Sequence, residues 1–513
     1  MKSRHYPLAP RIRAARRLDS SERGRVRQTL SDIVGSEHIE DGARLDALNA
    51  CSHPSRTSSW VLVMPADKKE LARVMAACSR LDVPVFVTSS ARNWGYGSGT
   101  PPFADAVHVS LGRLDAIVDY DDDLGFVRVQ PGVTQQQLYE FLEGQGGRFW
   151  MDATGASPGC SVIGNLMERG FGHTPLADHA AHACGLEVCL ADGTVIHTGF
   201  SAFHGATTAS CYRWGLGPSL DGLFTQSNFG IVTEATIWLM PKPDCVELFA
   251  FNLDSFEEFL GALPALRHLR RNHIIRGALH VGNTTKVLSS LARKAEIEDR
   301  FGPLSVPANA KRVARVMQVP AFSGGSALYG SKRQVKMLAR EVREQLRGKV
   351  RRLLFLGEGR LGYARHLAAG ADALLGTGFS RNIELVESVF DMVRGKPTEH
   401  PTRSVWWGKR QPMPAAANPD QHGCGLIWVC PLAPCTVDAV ASLHALALPV
   451  FEAHGFDPIL SMTFLNERSI EFIFSIQYDR DAPGQDDRAV ACHDALLEAC
   501  CAHGFYPYRM GNL

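Results

Sequence analysis

The sequence predicts an α+β protein built from two modules. Short apolar strands and hairpins fill residues 55–244, with few helices between them. The pattern of predicted elements changes in residues 245–480, where longer amphipathic helices alternate with strands. A chain of 513 residues also has room for two or more domains of about 150 residues each.

The first module begins with a strand, a helix and a second strand. Residues 58–65 (SSWVLVMP) are an apolar run that ends at a proline, which is typical of a strand. Residues 67–81 combine an acidic cap with apolar residues at helical spacing. Residues 83–90 (VPVFVTSS) predict a buried strand, because they are apolar and rich in β-branched residues. This βαβ-like unit places the stretch SARNWGYGSGTP (90–101) at the end of a strand.

Hairpins and one further helix complete the first module. AVHVSLGRL and AIVDYDDDLGFVRVQPGV predict a strand and then a hairpin, whose acidic run at 119–123 is interpreted as a solvated turn. VTQQQLYEFLEGQG predicts a helix that ends at glycine. CGLEVCLADGTVIHTG predicts a second hairpin with Asp192-Gly193 at its turn. A last strand precedes two prolines in IVTEATIWLMPKP.

The second module is expected over residues 245–480. Its predicted elements include amphipathic helices at 255–270, 331–347 and 379–394 and a strand in IEFIFSIQYD. Residues 1–54 are assigned to an N-terminal arm and the start of the first module, and the basic leader in this arm is expected to be poorly ordered. Residues 481–513 form a final short segment.

Charge and composition argue against several kinds of partner. The chain carries 54 basic and 53 acidic side chains, and this net charge of +1 favours neither nucleic acid nor an anionic membrane as a partner. No apolar run of about 18 residues occurs, so no transmembrane helix is expected. The 13 cysteines and 19 histidines show no zinc-type spacing. We therefore expect reduced thiols, no metal and a cytoplasmic location.

Three glycine-containing segments carry the functional signal. SARNWGYGSGTP is not a dinucleotide fingerprint, because Pro101-Pro102 blocks the helix that should follow. Such a loop can form a nest of backbone N–H groups for an anion such as a pyrophosphate, although a purely structural turn is at least as common. The segments GASPGCSVIGNLMERG and SNFGIVTEATIW add two further surfaces. Together the three segments predict a large ligand lying across the first module.

These motifs resemble the FAD domain of the vanillyl-alcohol oxidase and p-cresol methylhydroxylase flavoprotein family. The resemblance is carried, in family order, by ARNWGYGSGTP, VQPGVTQQQLYEFL, SVIGNLMERGFGHTPLADH, GLEVCLADGTVIHTG and DGLFTQSNFGIVTEATIWLMPKP. It implies a two-domain PCMH-type FAD-binding fold, with residues 55–244 as the FAD-binding domain and residues 245–480 as an α+β substrate (cap) domain. The FAD-binding residues that it implies are Ser90, Arg92, Asn93, Trp94, Gly95, Gly97, Ser98, Ser161, Ile163, Gly164, Asn165, Glu168, Gly170, Gly230 and Ile231.

The resemblance also implies a catalytic trio that holds a phenol as its phenolate. The matching positions are Tyr96, Tyr508 and Arg509. An arginine stays charged and favours ionisation of a nearby phenol, while tyrosine hydroxyls donate stronger hydrogen bonds as the phenol oxygen gains charge. A phenolate pushes electrons toward its para substituent, from which hydride can leave to the flavin.

The sequence allows two roles for several other residues. Glu168 and Arg169 are interpreted as a structural or cofactor-side ion pair. His173 either faces the flavin or substrate or is a hydrogen-bonded core histidine, and His179 and His182 are weaker candidates. A group of aromatic residues in the second module either lines an apolar pocket or belongs to the core, and it comprises Trp406, Trp407, Trp428 and Phe464.

The chain departs from the family pattern at several positions. Leu426 stands where some members attach FAD covalently, so non-covalent FAD is expected. Asp152 lies too early to match the carboxylate that some members place near flavin N5, and Ser469 stands near the position of their cap histidine. Residues 481–513 are expected to return to the active site as a shortened C-terminal segment.

Three functions are therefore weighed. The first is an FAD-dependent oxidase or dehydrogenase that takes hydride from a benzylic or alcohol carbon of a phenolic small molecule, with oxygen or an electron-acceptor protein as its partner. The second is a biosynthetic tailoring flavin oxidase for a non-phenolic alcohol, an amine or a larger metabolite. The third is a catalytically inactive flavin-binding protein. The resemblance further implies a possible homodimer.

Overall fold

The computed structural model describes residues 17–359, 361–362 and 379–513. The basic leader predicted to be poorly ordered lies outside these residues over positions 1–16. The helices are α1 (Ser20–Val34), α2 (Ala43–Asn49), α3 (Lys68–Arg80), α4 (Gln135–Gly144), α5 (Val162–Met167), α6 (Asp221–Phe224), α7 (Phe256–Arg271), α8 (Thr284–Leu291), α9 (Lys294–Phe301), α10 (Pro307–Val316), α11 (Lys332–Leu346), α12 (Phe379–Met392), α13 (Val437–Ala453) and α14 (Gln485–Ala502).

Most strands belong to three sheets. The strands are β1 (Ile39–Glu40), β2 (Ser59–Val63), β3 (Val85–Thr88), β4 (Ala106–Ser110), β5 (Ile117–Asp121), β6 (Phe126–Val129), β7 (Phe149–Trp150), β8 (Ala183–Cys189), β9 (Val195–His197), β10 (Ile231–Trp238), β11 (Met240–Pro241), β12 (Cys245–Leu253), β13 (Leu279–Asn283), β14 (Phe322–Gly330), β15 (Arg352–Gly357), β16 (Cys424–Val429), β17 (Leu432–Pro434), β18 (Ile459–Phe464) and β19 (Ser469–Asp479).

The first sheet has the order β1-β2-β4-β3. Strands β2 and β3 each pair with β4 in parallel, so the predicted βαβ unit is present with β4 inserted between its two strands. Helix α3 follows β2 and begins where the Asp67 side chain accepts the N–H groups of Lys69 and Glu70. Its apolar face packs against β2 and β4 around Val61, Leu71 and Val107.

The second sheet has the order β5-β6-β10-β8-β9 and is antiparallel throughout. Both predicted hairpins are present in it, with turns after Asp121 and at Gly193, whose φ is 86°. An ion-pair cluster ties α3 to this sheet. Lys68 Nζ lies 2.9 Å from Glu187 and 2.7 Å from Glu234, and Arg128 Nε lies 2.6 Å from Glu234.

The third sheet has the order β15-β12-β14-β13-β18-β19-β16, with β17 also paired to β19. All of its strands lie between Cys245 and Asp479, beyond the composition change in the sequence. Its apolar face packs against helices α7, α11, α13 and α14 and contains Phe259, Leu443, Phe472, Phe474 and Leu496. The alternate residues of β19 on the opposite face include Glu471, Ser475 and Gln477, so this face is polar.

The second glycine-containing segment contains a short helix, α5, over Val162–Met167. The Ser161 side chain accepts the N–H of Gly164 at the start of this helix. The helix forms because Ser161 caps it and because Ile163 and Leu166 are buried.

Two further global features concern cysteines and hydropathy. All 13 cysteines are free, and most of them are buried. Within the described ranges, no helix has both the length and the apolar character that a membrane crossing requires.

The ion-pair cluster generates a stability prediction. Lys68→Met leaves two carboxylates that are 6% and 7% exposed facing no lysine, and we expect a loss of unfolding free energy of about 2–3 kcal/mol. This figure is below the full cost of breaking a buried pair because the Lys68 side chain is 36% exposed. Burial raises the pKa of Glu234, but Lys68 and Arg128 lower it more, so the net shift is downward.

Because a lowered carboxylate pKa stabilises the protein at neutral pH, the difference between Lys68→Met and the wild type should shrink as the pH falls below about 4.5. Urea unfolding at pH 7 and at pH 4 measures both effects. Lys69→Met is the control, because the adjacent Lys69 is exposed. Equal stability of the two variants at pH 7 would contradict the prediction.

Candidate cofactor and substrate site

The glycine-rich loop joins the first module to the third sheet. Strand β16 lies at one edge of the third sheet. Ser52 and this loop provide hydrogen-bonding partners for its outer side. The N–H of Leu426 donates to Ser52 O (2.7 Å), and the N–H of Trp428 donates to Gly95 O (3.3 Å). The Ser52 hydroxyl accepts the N–H of Gly95 (2.9 Å) and donates to Leu426 O (3.2 Å). The Trp428 indole donates to Trp94 O (2.9 Å).

The loop needs glycine at two positions because other parts of the chain approach it. A Cβ at Gly95 would lie 2.2 Å from the Trp428 ring, and a Cβ at Gly97 would lie 2.2 Å from the Asn512 side chain. Both glycines have positive φ, at 77° and 117°. The sequence analysis assigned the close approach to a ligand, but at these two positions the close neighbours are β16 and the C-terminal segment.

Other predicted FAD-binding residues lie around this loop. The Ser161 N–H donates to the Ser90 hydroxyl (2.9 Å), which docks the start of α5 on the loop. A Cβ at Gly164 would lie 2.7 Å from the Ser89 hydroxyl, so this contact also requires glycine. Arg92 donates to the Ser157 hydroxyl (2.6 Å). Ser98 is buried and has a φ of 45°.

The remaining predicted FAD-binding residues have mainly structural contacts. Asn165 Oδ1 accepts a hydrogen bond from His179 Nδ1 (2.6 Å), and a Cβ at Gly170 would lie 2.0 Å from the same oxygen. Ile163 and Ile231 bury their side chains in the cores of the first module. A Cβ at Gly230 would lie 2.5 Å from Val188. At Ile163, Ile231 and Gly230, therefore, only backbone atoms can face a ligand.

The buried groups without partners at the loop include two nitrogen donors. Among the described residues, no acceptor lies within hydrogen-bonding distance of Trp94 Nε1 or Arg509 Nε. A buried donor without a partner is costly, so both atoms call for an acceptor. The phosphates and ring edge of FAD are rich in acceptors, as is a phenolate. The residues present therefore fit a bound FAD.

Tyr96, Tyr508 and Arg509 lie together, as the resemblance implied. The guanidinium carbon of Arg509 is 3.8 Å from the centre of the Tyr96 ring and 5.3 Å from that of Tyr508. Three backbone hydrogen bonds hold the C-terminal segment, two of them to the residues after β16 and one to the loop. Tyr508 N donates to Cys430 O (3.2 Å), Asn512 N donates to Tyr96 O (3.1 Å), and Leu432 N donates to Tyr506 O (2.9 Å).

This trio has the electrostatics of a phenolate site. Burial raises the pKa of Tyr96 and of Tyr508, and although Arg509 opposes this effect, both tyrosines remain protonated donors. Burial would lower the pKa of Arg509, but the two tyrosines and Glu168 raise it, so Arg509 remains a cation. Two neutral hydroxyl donors and one fixed cation can stabilise negative charge on a phenol oxygen.

The sequence analysis missed Glu471, which lies beside this trio on β19. Its side chain is 4% exposed and interacts with the Cys430 thiol, and the Tyr96 hydroxyl donates to the same Sγ at 3.0 Å. Burial raises the pKa of Glu471 to about 7, with Arg509 opposing the shift. The signal was present in SIEFIFSIQYD, because its period of two places Glu471 on the polar face of the strand.

Glu471 ends a polar row that crosses three strands. It pairs in register with Thr463 on β18, which pairs with His280 on β13. Residues that are directly opposite in a sheet point to the same face, and His280 Nδ1 is 2.8 Å from the Thr463 hydroxyl. The row therefore runs from the tyrosine–arginine trio to His280, whose ring centre is 5.2 Å from that of His173.

Glu168 and Arg169 contact different partners, and His173 has the contacts of a core histidine. Glu168 Oε2 lies 3.6 Å from Arg509, whereas Arg169 Nε donates to the Thr225 hydroxyl (3.1 Å), so the predicted pairing of these neighbours is wrong. The cause is the left-handed backbone of Arg169 at the end of α5, where its φ of 51° turns the Arg169 side chain away from Glu168. His173 Nδ1 lies 2.9 Å from Ala153 O, so His173 has the hydrogen bond of a core histidine while its ring faces His280.

Asp152 holds the second segment together rather than facing the tyrosines. It accepts the N–H groups of His173 (2.9 Å) and Thr174 (2.8 Å) and lies 3.2 Å from His179 Nε2. Burial would raise its pKa, but His179 and the backbone donors lower it. His182 bonds to the backbone of Asp178.

The aromatic residues divide between the two interpretations. Phe464 and Trp407 are fully buried in separate cores, and Trp406 packs with Trp94 and Leu426. Trp428 is half-buried against the loop. No group of His, Cys, Asp and Glu side chains in the described part of the chain could hold a metal ion.

Comparison with known proteins agrees with this geometry. A family described as "FAD binding domain" matches residues 60–199. The chain is 34% identical over 483 residues to the 1'-carboxy-chondrochloren decarboxylase of Chondromyces crocatus, covering 94% of this chain and 89% of that protein. It is 27% identical over 465 residues to the 4-cresol dehydrogenase (hydroxylating) flavoprotein subunit of Pseudomonas putida, covering 90% and 82%.

The fold is shared with a solved oxidase. The 4-ethylphenol oxidase from Gulosibacter chungangensis, in its isoeugenol complex, superposes with a TM-score of 0.86 over 98% of this chain and 91% of that chain, at 24% identity. This likeness supports the PCMH-type FAD-binding fold that the resemblance implied.

Glu471 generates a pH prediction. Its pKa in the folded protein (about 7) is above its ordinary value of 4.5, so the folded protein binds more protons between these values and loses stability as the pH rises through them. Glu471→Gln removes this loss. Relative to the wild type, the variant should gain on the order of 1–3 kcal/mol of unfolding free energy between pH 5 and pH 8.

Thermal unfolding at the two pH values checks this expectation. Glu452→Gln is the matched control, because Glu452 is an exposed carboxylate on α13. A difference between Glu471→Gln and the wild type that stays constant with pH would contradict the assignment.

Proposed function

Because the chain belongs to the FAD-dependent oxidoreductase family of p-cresol methylhydroxylase and 4-cresol dehydrogenase, we propose that it oxidises a para-substituted phenol. The main support for this proposal is the buried trio of Tyr96, Tyr508 and Arg509, which combines two protonated hydroxyls with one cation. FAD, when bound, would supply the two-electron acceptor for the hydride that leaves the substrate.

The residues of this chain perform the remaining tasks. Tyr96 and Tyr508 donate hydrogen bonds to the phenol oxygen, and Arg509 compensates its negative charge. Glu471 is placed to accept the phenol proton through Cys430, because its pKa of about 7 lets it gain or lose a proton near neutrality. Loss of hydride from the benzylic carbon then leaves a quinone methide, which water or an internal proton loss can resolve.

The loop of Ser90–Gly99 and the start of α5, with the unpartnered Trp94 indole, would hold the FAD. We propose that it is bound non-covalently. Leu426 is 1% exposed and packs among Trp94, Val405 and Trp406, so this position offers no nucleophile. The electrons then pass to oxygen or to an electron-acceptor protein.

Oxidative decarboxylation is the second candidate, favoured by the 34% identity to a decarboxylase over 94% of the chain. A quinone methide whose next carbon carries a carboxylate can lose CO₂. The electron pair of the broken C–C bond forms a C=C bond and restores the phenolate. The same phenol site serves both reactions, because both begin with hydride loss from the benzylic carbon.

The phenol site is tested by flavin reduction without oxygen. Arg509→Lys should lower the rate constant for reduction by 4-ethylphenol about 100-fold, because charge-assisted hydrogen bonds to the phenolate are worth about 3 kcal/mol. Tyr508→Phe should lower it about tenfold, at about 1.4 kcal/mol for one hydrogen bond. Stopped-flow absorbance of the FAD-loaded protein measures both rate constants.

Tyr506→Phe is the matched control, since Tyr506 is 54% exposed two residues away. It should reduce at the wild-type rate. If Arg509→Lys also reduces at that rate while binding FAD normally, the phenol site is wrong.

The attachment of FAD is tested by acid precipitation. All flavin should be released into the supernatant, because Leu426 cannot form a bond to it. Absorbance of the supernatant and the pellet gives the result, and flavin retained in the pellet would contradict non-covalent binding.

A further inference from the structure

Lys286 is a partly buried cation that faces the same polar surface as Glu471. Its side chain begins at the start of α8, where Asn283 accepts the N–H of Lys286 (3.0 Å). The chain of methylenes folds back over β13, because Lys286 Cγ lies only 3.2 Å from where a Cβ on Gly282 would be. Gly282 pairs with Ser461, and Ser461 pairs with Ile473 of β19, so this row lies next to the row of Glu471, Thr463 and His280.

The ammonium group lacks the partner that other interior lysines have. It donates to the Ser404 hydroxyl at 3.4 Å, and within residues 17–359, 361–362 and 379–513 no carboxylate oxygen lies within 4.0 Å of it. Lys409, by contrast, is 3% exposed and lies 2.6 Å from Asp479 and 2.5 Å from Asp481. Enclosed charges are normally paired, so Lys286 calls for an anion that the described protein does not supply.

The neighbours of Lys286 do not compete for such an anion. His280 on β13 and His400 on the 3-10 segment His400–Gly408 both have pKa values lowered by burial, to about 3 and about 4, so both are neutral. Burial also lowers the pKa of Lys286, to about 8, which leaves it charged at neutral pH. The region is therefore positive overall, with hydroxyl and imidazole groups available as hydrogen-bonding partners.

We propose that Lys286 binds the carboxylate of a phenolic acid whose hydroxyl lies between Tyr96, Tyr508 and Arg509. This inference rests on the proposed function, whose phenol site supplies the other end of the substrate. Two strand spacings separate Glu471 from His280, so the two ends of the polar surface lie on the order of 10 Å apart. This separation suits a carboxylate a few carbons beyond the para position.

The test compares two ligands of matched size. The FAD-loaded protein is reduced beforehand with dithionite, so that its flavin cannot oxidise either ligand, and is titrated without oxygen with 3-(4-hydroxyphenyl)propanoate and with 4-propylphenol. Quenching of its fluorescence gives each affinity. Lys286→Met should weaken binding of the acid 30-fold to 100-fold and change the affinity for 4-propylphenol less than threefold. Lys336→Met is the control, because Lys336 is an exposed lysine on α11. It should change neither affinity.

A second measurement uses the unaltered protein, in case Lys286→Met folds poorly. Lys286 loses its charge as the pH rises through about 8, so the affinity for the acid should fall between pH 7 and pH 9. The affinity for 4-propylphenol should change less than that for the acid over this range, since both histidines beside Lys286 remain neutral in it and the titration of Glu471 at the phenol site affects both ligands alike.

The outcomes separate this inference from the proposed function. Equal loss of affinity for both ligands in Lys286→Met, or no loss for either, would overturn the carboxylate site, as would a flat pH profile for the acid. Binding of the acid that depends on Lys286, while 4-propylphenol fails to bind or binds Arg509→Lys as well as the wild type, would support the carboxylate site and overturn the phenol site.

Discussion

The docking of one short loop on one edge strand organises the whole molecule. The loop around Gly95 completes the free edge of β16, with Ser52 bridging the two. This contact leaves no room for a side chain at Gly95, because the Trp428 ring occupies that space. An open strand edge would otherwise expose unpaired backbone groups. Since the loop also carries Tyr96, the same contact fixes that tyrosine against the third sheet.

The chain end depends on this docking as well. Tyr508 bonds to the backbone of Cys430 just after β16, and Asn512 bonds to the backbone of Tyr96. Residues that are more than 400 positions apart therefore meet in one buried cluster. Arg509 stacks on Tyr96 and interacts with Asn93 and Glu168, all from the first module. An arginine near a chain end is held in a defined place by these several contacts.

The division of the third sheet into two faces explains how one fold supplies both stability and chemistry. The apolar face packs against four helices and forms the largest core. The opposite face carries Glu471, Thr463 and His280 in one row, with Lys286 lying over the next. Arg509, two hydroxyl donors and a carboxyl group of raised pKa lie at one end of this surface, and an unpaired ammonium lies toward the other. This difference distinguishes the two ends of a bound molecule.

The sequence by itself determined the local elements and the family. Periodicity and capping located α3, β2, both hairpins and β19 closely, because those signals depend on neighbours within a few residues. The family motifs brought Tyr96, Tyr508 and Arg509 to notice, although their separation along the chain gives no physical reason to group them. FAD binding followed from the same motifs.

Only the tertiary structure decided which side chains share the site. Glu471 and Lys286 gave no motif, because their significance lies in what faces them across strands and helices. Arg169 was paired with the adjacent Glu168, but the left-handed backbone at Arg169 turns its side chain to Thr225. The neighbours of Gly95 and Gly97 also come from Trp428 and Asn512, far along the chain. Strand register and long-range packing decide such contacts, and neither is written in any local stretch of sequence.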